Sequence, residues 1–372
     1  MSYSRKLRVG VIMGGKSGEH EVSVISAASV IKALDRKKYE VIPIGITKTG
    51  KWISGTQTIK ILKSQNSHKL LEKILLPDPN QKSLVAIKNN HFSYQKPLDV
   101  IIPILHGTYG EDGKIQGLLE LADIPYVGAG VLGSAMGMDK IVMKQLFQQA
   151  GLLTPQFIYF TSNQWPKKKL AIVREVGKKL KYPLFVKPAN LGSSVGINKA
   201  KNKNELIENI NEACQFDRRI IIEQAVANIR EIECAVLGND EPLASVPGEV
   251  VPGDEFYSYK DKYIDNKSQL IIPANLNKKL TGQIQQASIK VFKLLDLAGM
   301  ARVDFFLENN KKLFINEVNT IPGFTSISMY PKLWEASGLP YAKLLDTLIK
   351  LALERHRQKQ RLKTSYSLKP KV

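Results

Sequence analysis

Near the C-terminal end, the run Arg302-Val-Asp304-Phe-Phe-Leu-Glu-Asn-Asn-Lys-Lys-Leu-Phe-Ile-Asn-Glu317-Val-Asn319 reads as two apolar strands joined by a tight Glu-Asn-Asn-Lys turn. A two-residue turn sets Asp304 opposite either Ile315 or Glu317. Side chains alternate across a strand, so Arg302, Asp304, Glu317 and Asn319 share one face in either register. Two carboxylates and an amide among aliphatic neighbours are costly to bury unless something cationic binds them. An all-oxygen set suits a hard divalent cation such as Mg²⁺, which commonly also takes substrate phosphates. The plainer alternative is a solvated polar strand face, and the rest of the chain argues against it.

Three Gly-rich stretches carry further chemistry. Pro183-Leu-Phe-Val-Lys187-Pro188-Ala-Asn-Leu-Gly192-Ser193-Ser194-Val195-Gly196 has a strand leading in and a second strand beginning after Gly196. Its N–H groups and hydroxyls can cover phosphates, and Lys187 ends the incoming strand where it would meet them. A plain Gly-rich hairpin is the competing reading. His106-Gly107-Thr-Tyr-Gly110-Glu111-Asp112-Gly113 follows a buried strand and precedes a helix, the place where parallel sheets bind ligands. Metal binding by His106 is disfavoured because no second His lies nearby. Gly10-Val-Ile-Met-Gly-Gly15-Lys16-Ser17 matches G-x-x-x-x-G-K-S. In a phosphate-binding loop the residues between the glycines wrap the phosphate. Here Val11, Ile12 and Met13 belong to an apolar strand, so only Gly14 and Gly15 remain to turn. The match is therefore read as a decoy and the Gly-Gly turn as the opening of a substrate cleft. Glu19 and Glu21 follow beside a helix N-terminus, where carboxylates are favoured; at least one is a candidate for a substrate ammonium, and helix capping is the alternative.

The elements that position these residues alternate strand and helix through the first third. Leu7 to Met13 reads as a strand, Glu21 to Leu34 as a helix, Tyr39 to Ile46 as a strand, Asp99 to Leu105 as a buried strand and Gly113 to Leu121 as a helix. This predicts a parallel sheet with helices on its faces. Residues 50–95 read as irregular, with a peripheral hairpin. A helix around Met136 to Gly151 begins a new unit. It contains strands at Gln156 to Phe160, Leu184 to Lys187 and Ile220 to Glu223, and helices at Leu170 to Leu180 and Lys203 to Cys214. From Glu231 come longer antiparallel strands, a polar and aromatic loop, a helix at 278–297, the carboxylate hairpin and a closing helix near 340–354. The predicted class is α/β: an N-terminal parallel-sheet domain (1–138), a central lobe (139–228), a C-terminal lobe (229–354) with a lid loop at 249–265, and a basic disordered tail (355–372).

Bulk composition bounds the reading. The chain has 372 residues, 43% hydrophobic and 24% charged, ordinary for a globular enzyme of two or three domains. No apolar run approaches the ~18–20 residues that span a bilayer, and no signal-peptide core is present. Cys214 and Cys234 are isolated, so no disulfide is required and a reducing cytoplasm is the default. The net charge of +20 raises a nucleic-acid reading. However, +6 of it lies in Ala352 to Val372 and the rest is scattered, without an aromatic-interleaved basic stripe.

The motifs in order resemble those of the D-alanine–D-alanine ligase family of ATP-grasp enzymes. They are Gly14-Gly-Lys-Ser-Gly-Glu-His-Glu-Val-Ser23, His106 to Gly113, Met138-Asp-Lys140, Lys187 to Gly196, Arg230-Glu-Ile-Glu233 and the hairpin through Asn319-Thr-Ile-Pro-Gly323. The resemblance runs from about Val9 to about Leu345. It implies a two-lobed ATP-grasp unit after the N-terminal domain, with ATP between the lobes and two Mg²⁺ ions (Mn²⁺ able to substitute) on Asp304, Glu317 and Asn319. It places Lys140, Lys187, Ser194 and Lys262 on the phosphates, Glu223 at the start of the adenine-side segment and Glu231 on the ribose. Glu19 would hold the first D-alanine's ammonium, linked to Ser193 and Tyr263, with His106 in the substrate loop. Arg302 and the N–H of Gly323 would form the oxyanion site, and Ser328 would hold the second D-alanine's carboxylate. The implied activity is ATP-dependent ligation of two D-alanines for peptidoglycan precursors, by a cytoplasmic homodimer with no membrane or specific nucleic-acid partner. D-lactate or D-serine as second substrate is the alternative. The Lys-Tyr pair ending at Tyr263 favours D-alanine.

Overall fold

A continuous apolar strand survives only where both faces are covered, and the first sheet is built that way. The computed structural model describes residues 5–64, 72–88, 91–192, 195–252, 268–325, 327–363 and 365. In it β1 (Leu7–Gly14) leads through α1 (His20–Ala33) to β2 (Tyr39–Ile46), parallel to β1. Then come β3 (Trp52–Ser54), α2 (Thr58–Ser64), β4 (Lys73–Leu75), β5 (Leu84–Lys88) and β6 (His91–Tyr94). β7 (Val100–Ile104), buried along its whole length, pairs with the other side of β1 in parallel. The strand order is β3-β2-β1-β7. Val24, Ala27 and Val30 of α1 cover one face, and Ile115 and Leu119 of α3 (Lys114–Leu121) cover the other. The described residues of 50–95 form more regular structure than their sequence predicts: β4, β5 and β6 form a small antiparallel sheet, and α2 packs Leu62 into the core. Strands this short, one of them fully exposed, leave no period to read.

The helix expected across Met136 to Gly151 is two: α4 (Val131–Met138) and α5 (Lys140–Gln149). Asp139 between them is extended, and its carboxylate caps α5 by accepting from the N–H groups of Ile141 and Val142, both at 3.0 Å. β8 (Phe157–Thr161), α6 (Trp165–Lys179), β9 (Leu184–Pro188), β10 (Asn198–Ala200), α7 (Lys203–Ala213) and β11 (Arg219–Gln224) follow. They form an antiparallel sheet ordered β10-β9-β11-β8. Alternation turns Leu184, Val186, Ile220 and Ile222 towards α6 and α7, leaving Phe185, Lys187 and Glu223 on the opposite face.

The third large sheet contains β12 (Ile229–Gly238), β13 (Leu243–Ala244), β14 (Gly248–Val251) and β15 (Gln269–Ile271). After α8 (Lys278–Leu294) it is completed by β16 (Gly299–Glu308) and β17 (Lys312–Asn319). Its order is β15-β14-β12-β16-β17, with β13 on β12. Ile232, Cys234, Val303 and Phe305 pack under Ile284, Val291 and Phe292 of α8. The other parity puts Glu231, Glu233, Arg302, Asp304 and Phe306 on the reverse face.

α9 (Met329–Ala336) and α10 (Tyr341–Gln360) close the chain back onto its beginning. Leu344, Leu345, Leu348 and Ile349 share one core with Val9, Val11 and Ile102. The basic stretch from residue 355, expected to be a disordered tail, continues α10 through Gln360. Arg355 stacks over the Tyr126 ring at 4.5 Å and donates to the carbonyls of Tyr126 (3.2 Å) and Gly128, and Lys359 pairs with Glu120. Anchoring by the N-terminal unit orders a helical turn whose local sequence reads only as charged. Residues 364 and 366–372 of that tail lie outside the described residues. No described helix is long and apolar enough to cross a membrane.

Candidate active site

The metal-type face forms through two departures from the expected hairpin. Glu308 pairs with Lys312, so the connection is a three-residue loop, with Asn309 and Asn310 left-handed (φ 48° and 56°). Asn is one of the few residues that adopts this conformation readily. That loop alone would set Asn316 opposite Asp304. A β-bulge intervenes: Phe305 pairs with Ile315 but Asp304 pairs with Glu317, leaving Asn316 as the extra residue. The two departures cancel, and Arg302, Asp304, Glu317 and Asn319 share one face as predicted, with Arg302 opposite Asn319.

Positive charge already gathers at these carboxylates. The Arg302 fork binds Asp304 through Nε and Nη2, both at 2.7 Å, and Nε lies 2.9 Å from Glu233. Asn319 Nδ2 donates to Asp304 (2.9 Å), and Lys140 Nζ stands 3.3 Å from Glu317. Among the described residues no three His, Cys, Asp or Glu side chains are arranged as a metal cluster. The donor set here is two carboxylates and an amide. Oxygen donors of this kind, already drawing in a guanidinium and an ammonium, fit a hard cation such as Mg²⁺.

Across the cleft stand the phosphate-type lysines. Lys140 begins α5 and donates to the Leu191 carbonyl at 2.8 Å. Lys187 donates to Glu223 at 2.7 Å, and Lys144, one turn after Lys140, lies 3.0 Å from the other Glu223 oxygen. Burial would raise the Glu223 carboxyl. The ammonium groups of Lys144 and Lys187 outweigh that and hold it at about 2. Burial pushes the Lys144 ammonium down while Glu223 opposes the shift. Glu223, expected on the adenine side, lines the cleft, but its carboxylate is the counter-ion of two lysines. Between the two sheets Phe185, Ile197 and Val226 face Phe306, with Glu231 on the same wall. Lys187, Glu233, Asp304 and Glu317 line the same cavity.

Glu19 sits at the mouth of α1, buried, where the loops after β1 and β7 meet the loop after β9. A Cβ on Gly107 would collide with its Oε2, and one on Gly192 would lie 2.7 Å from it. Gly107 also has φ +72°, a backbone conformation that favours glycine whatever the space, and a side chain there would have to displace the Glu19 carboxylate. Glu21, the other candidate carboxylate, is exposed and pairs with Lys48 at 2.5 Å. Lys16 is exposed, and β1 extends through Gly14, so the phosphate-loop match is a strand end.

His106, expected in the substrate loop, is buried with both ring nitrogens engaged by the protein. Its Nδ1 contacts the Ile321 carbonyl at 3.0 Å, so Nδ1 carries the proton, and Nε2 accepts from Ser26 at 3.2 Å. Burial pushes its pKa down despite Glu19. With both ring nitrogens engaged, it fixes the loop to the segment before Gly323. Glu111 makes a second tie: its carboxylate accepts from the N–H of Gly107 (2.8 Å) and of Ile321 (3.0 Å). Burial and the Glu19 charge push it up to about 8, against those two N–H groups. Ser328 accepts from the Thr325 N–H (3.0 Å) and pairs with the Thr325 hydroxyl (2.7 Å), and a Cβ on Gly323 would lie 3.0 Å from its Oγ.

Sequence reasoning missed Glu233, Lys144 and the clamp role of Glu111. The Glu231-Ile-Glu233 alternation and the i, i+4 spacing of Lys140 and Lys144 were the available signals. Ser193, Ser194, Lys262, Tyr263 and most of the lid at 249–265 lie outside the described residues.

Comparison with known proteins agrees with this arrangement. The family model for the D-ala D-ala ligase N-terminus matches residues 8–129, and that for the D-ala D-ala ligase C-terminus matches residues 146–350. A D-alanine–D-alanine ligase of Caldicellulosiruptor bescii is 52% identical over 361 residues, covering 97% of this chain and 99% of its own. One of Natranaerobius thermophilus is 50% identical over 368 residues, covering 98% and 99%. Among solved structures, a D-Ala:D-Ser ligase of Enterococcus faecalis aligns with TM-score 0.83 at 36% identity over 94% of this chain and 100% of its own. A D-alanine–D-alanine ligase of Coxiella burnetii aligns with TM-score 0.80 at 36% identity, over 96% and 97%. With both family models matched and half of its residues shared with full-length relatives, the chain belongs to the D-alanine–D-alanine ligase family and has its ATP-grasp fold.

Proposed function

We propose that the cleft joins two D-alanines at the expense of ATP through an acyl phosphate, with residue roles as follows. The observation that carries this placement is the single face holding Arg302, Asp304, Glu317 and Asn319 opposite Lys140 and Lys187. ATP lies in the slot between Phe185 and Phe306, with Glu231 towards the ribose and Lys140 and Lys187 at the phosphates. Asp304, Glu317 and Asn319 would hold two Mg²⁺ ions, which supply charge neutralisation at the transferring phosphoryl group when bound.

A carboxylate resists amine attack because oxide is a poor leaving group. One oxygen of the first D-alanine's carboxylate attacks the γ-phosphorus and ADP departs, leaving an acyl phosphate. Glu19 holds that D-alanine's ammonium. The free amine of the second D-alanine attacks the acyl carbon, and the oxyanion faces Arg302 and the Gly323 N–H. The amine loses its proton, phosphate leaves and the peptide bond remains. Ser328 holds the second carboxylate. Ser193, Ser194, Lys262 and Tyr263 complete the closed site in this reading, on the strength of the family resemblance. Water must be excluded while the acyl phosphate survives.

The proposed units are 1–138, 139–228 and 229–354, with the ordered turn 355–360 belonging to the last helix. A cytoplasmic homodimer is the proposed state, and light scattering measures the assembly. The activity test uses D-alanine labelled with ¹⁸O in its carboxylate. Released phosphate should carry one ¹⁸O and the product should be D-alanyl-D-alanine, with D-lactate and D-serine poor acceptors. Unlabelled phosphate would overturn the acyl-phosphate route.

A further inference from the structure

Lys144 has no place in the reaction as described, yet it is 1% exposed and touches both halves of the site. It follows Lys140 by one turn on α5, so both lysines leave the helix on the same side. Its Nζ lies 3.0 Å from Glu223, the counter-ion of Lys187. It also donates, at 2.7 Å, to the backbone carbonyl of Asn316. Asn316 is the extra residue of the β-bulge. A bulge takes backbone groups off the regular ladder, and a carbonyl there needs another donor. A buried ammonium in turn persists only where it is well paired. Without the bulge, the three-residue loop would place Asn316 opposite Asp304 and send Glu317 to the other face.

We propose that Lys144 is a positioning residue that holds the Asn316 bulge, and so keeps Glu317 beside Asp304 as a metal ligand, while Glu223 links the same ammonium to the phosphate lysine Lys187. α5 thereby sets both sides of the phosphoryl-transfer site with two lysines, Lys140 from its first residue and Lys144 from one turn on. The proposal rests on the reading of the cleft as the ATP and metal site.

The test measures Mn²⁺ binding in the presence of ADP by electron paramagnetic resonance, alongside the Mg²⁺ half-saturation of turnover and thermal melting. Lys144→Met leaves Glu223 buried with one counter-ion and is expected to lower the melting temperature. The double variant Lys144→Met/Glu223→Gln removes that unbalanced charge and still leaves the Asn316 carbonyl without its donor. It should melt closer to wild type than Lys144→Met does, yet bind Mn²⁺ at least tenfold more weakly and need at least tenfold more Mg²⁺. A merely structural lysine would give a double variant that recovers stability and metal affinity together. Mn²⁺ affinity and Mg²⁺ half-saturation within twofold of wild type would therefore overturn the role of Lys144. Asp304→Asn, measured in parallel, reports on the underlying reading. Loss of Mn²⁺ binding there supports the site, and wild-type binding there overturns the metal site together with the proposal built on it.

Discussion

Glu317 and Asn319 occupy one strand face, but only one carries charge. Glu317→Gln should lose turnover on the order of 10²-fold or more, several kcal/mol of charge stabilisation, with circular dichroism unchanged. Raised Mg²⁺ should restore Asn319→Ala better than Glu317→Gln, because a lost neutral ligand weakens affinity more than it alters charge. Near-normal turnover of Glu317→Gln at limiting Mg²⁺ would refute the assignment. The same reasoning separates two lysines. Lys16 is exposed beyond a strand end, whereas Lys187 lies in the cleft. Lys16→Ala should leave the ATP KM within about threefold, and Lys187→Ala should raise it at least about tenfold, ~1.4 kcal/mol. The reverse ranking would revive the phosphate-loop reading. Glu111 sets a pH dependence. Its carboxyl is raised from the ordinary 4.5 to about 8, so the folded protein keeps a proton that the unfolded chain releases. The contribution is fully present below about 4.5 and is lost as pH rises through about 8. Glu111→Gln, permanently neutral, should flatten the fall of melting temperature between pH 5 and 8 relative to wild type. An unchanged difference between the two proteins across that range would count against a buried, protonated Glu111.

Helix α5 shows how an element's stability and a site's geometry can share one residue. Asp139 caps it, accepts from Asn190 at 3.2 Å and pairs with Arg219 at 2.6 Å. Asp139→Ala should cost about 1–2 kcal/mol for the cap. It should also raise the ATP KM, since Lys140 is the first residue of the helix it starts. Asn277 caps α8 by accepting from the Leu280 N–H at 2.9 Å, away from the cleft. Asn277→Ala should destabilise by a similar amount and leave the ATP KM unchanged. If both variants shifted KM alike, the link from cap to Lys140 would fail.

At the scale of the whole molecule, the last helix holds the first sheet. Its apolar side packs on β1 and β7, Asp346 takes Lys38 (2.6 Å) and the Tyr39 hydroxyl (2.8 Å), and Arg355 ties down the carbonyls of Tyr126 and Gly128. Arg355→Met keeps most of the stem's packing but leaves those carbonyls without their donor, an expected loss of about 1–3 kcal/mol. A chain ending at Glu354 should be destabilised at least as much. Denaturant unfolding measures both, and wild-type stability of the shortened chain would restore the view of a disordered basic tail.

Much of this was legible without coordinates, because local periodicity decides which way a side chain faces. Alternation along 302–308 and 312–319 predicts the shared face, and the apolar run Val11-Ile12-Met13 argues against the phosphate loop before any contact is known. Glycines with a buried-strand approach mark the loops around Glu19 and Gly107. What each side chain meets was decided elsewhere. The bulge at Asn316 is a one-residue choice in register, held by Lys144 from 172 residues earlier in the chain. Glu223 gained a counter-ion role that its local sequence does not show, because two lysines, 36 and 79 residues away, converge on it. His106 was committed to the Ile321 carbonyl 215 residues on, and Arg355 made a turn of helix out of a charged tail by finding Tyr126. Burial, pairing and protonation depend on distant segments brought together by packing, and no local pattern encodes them.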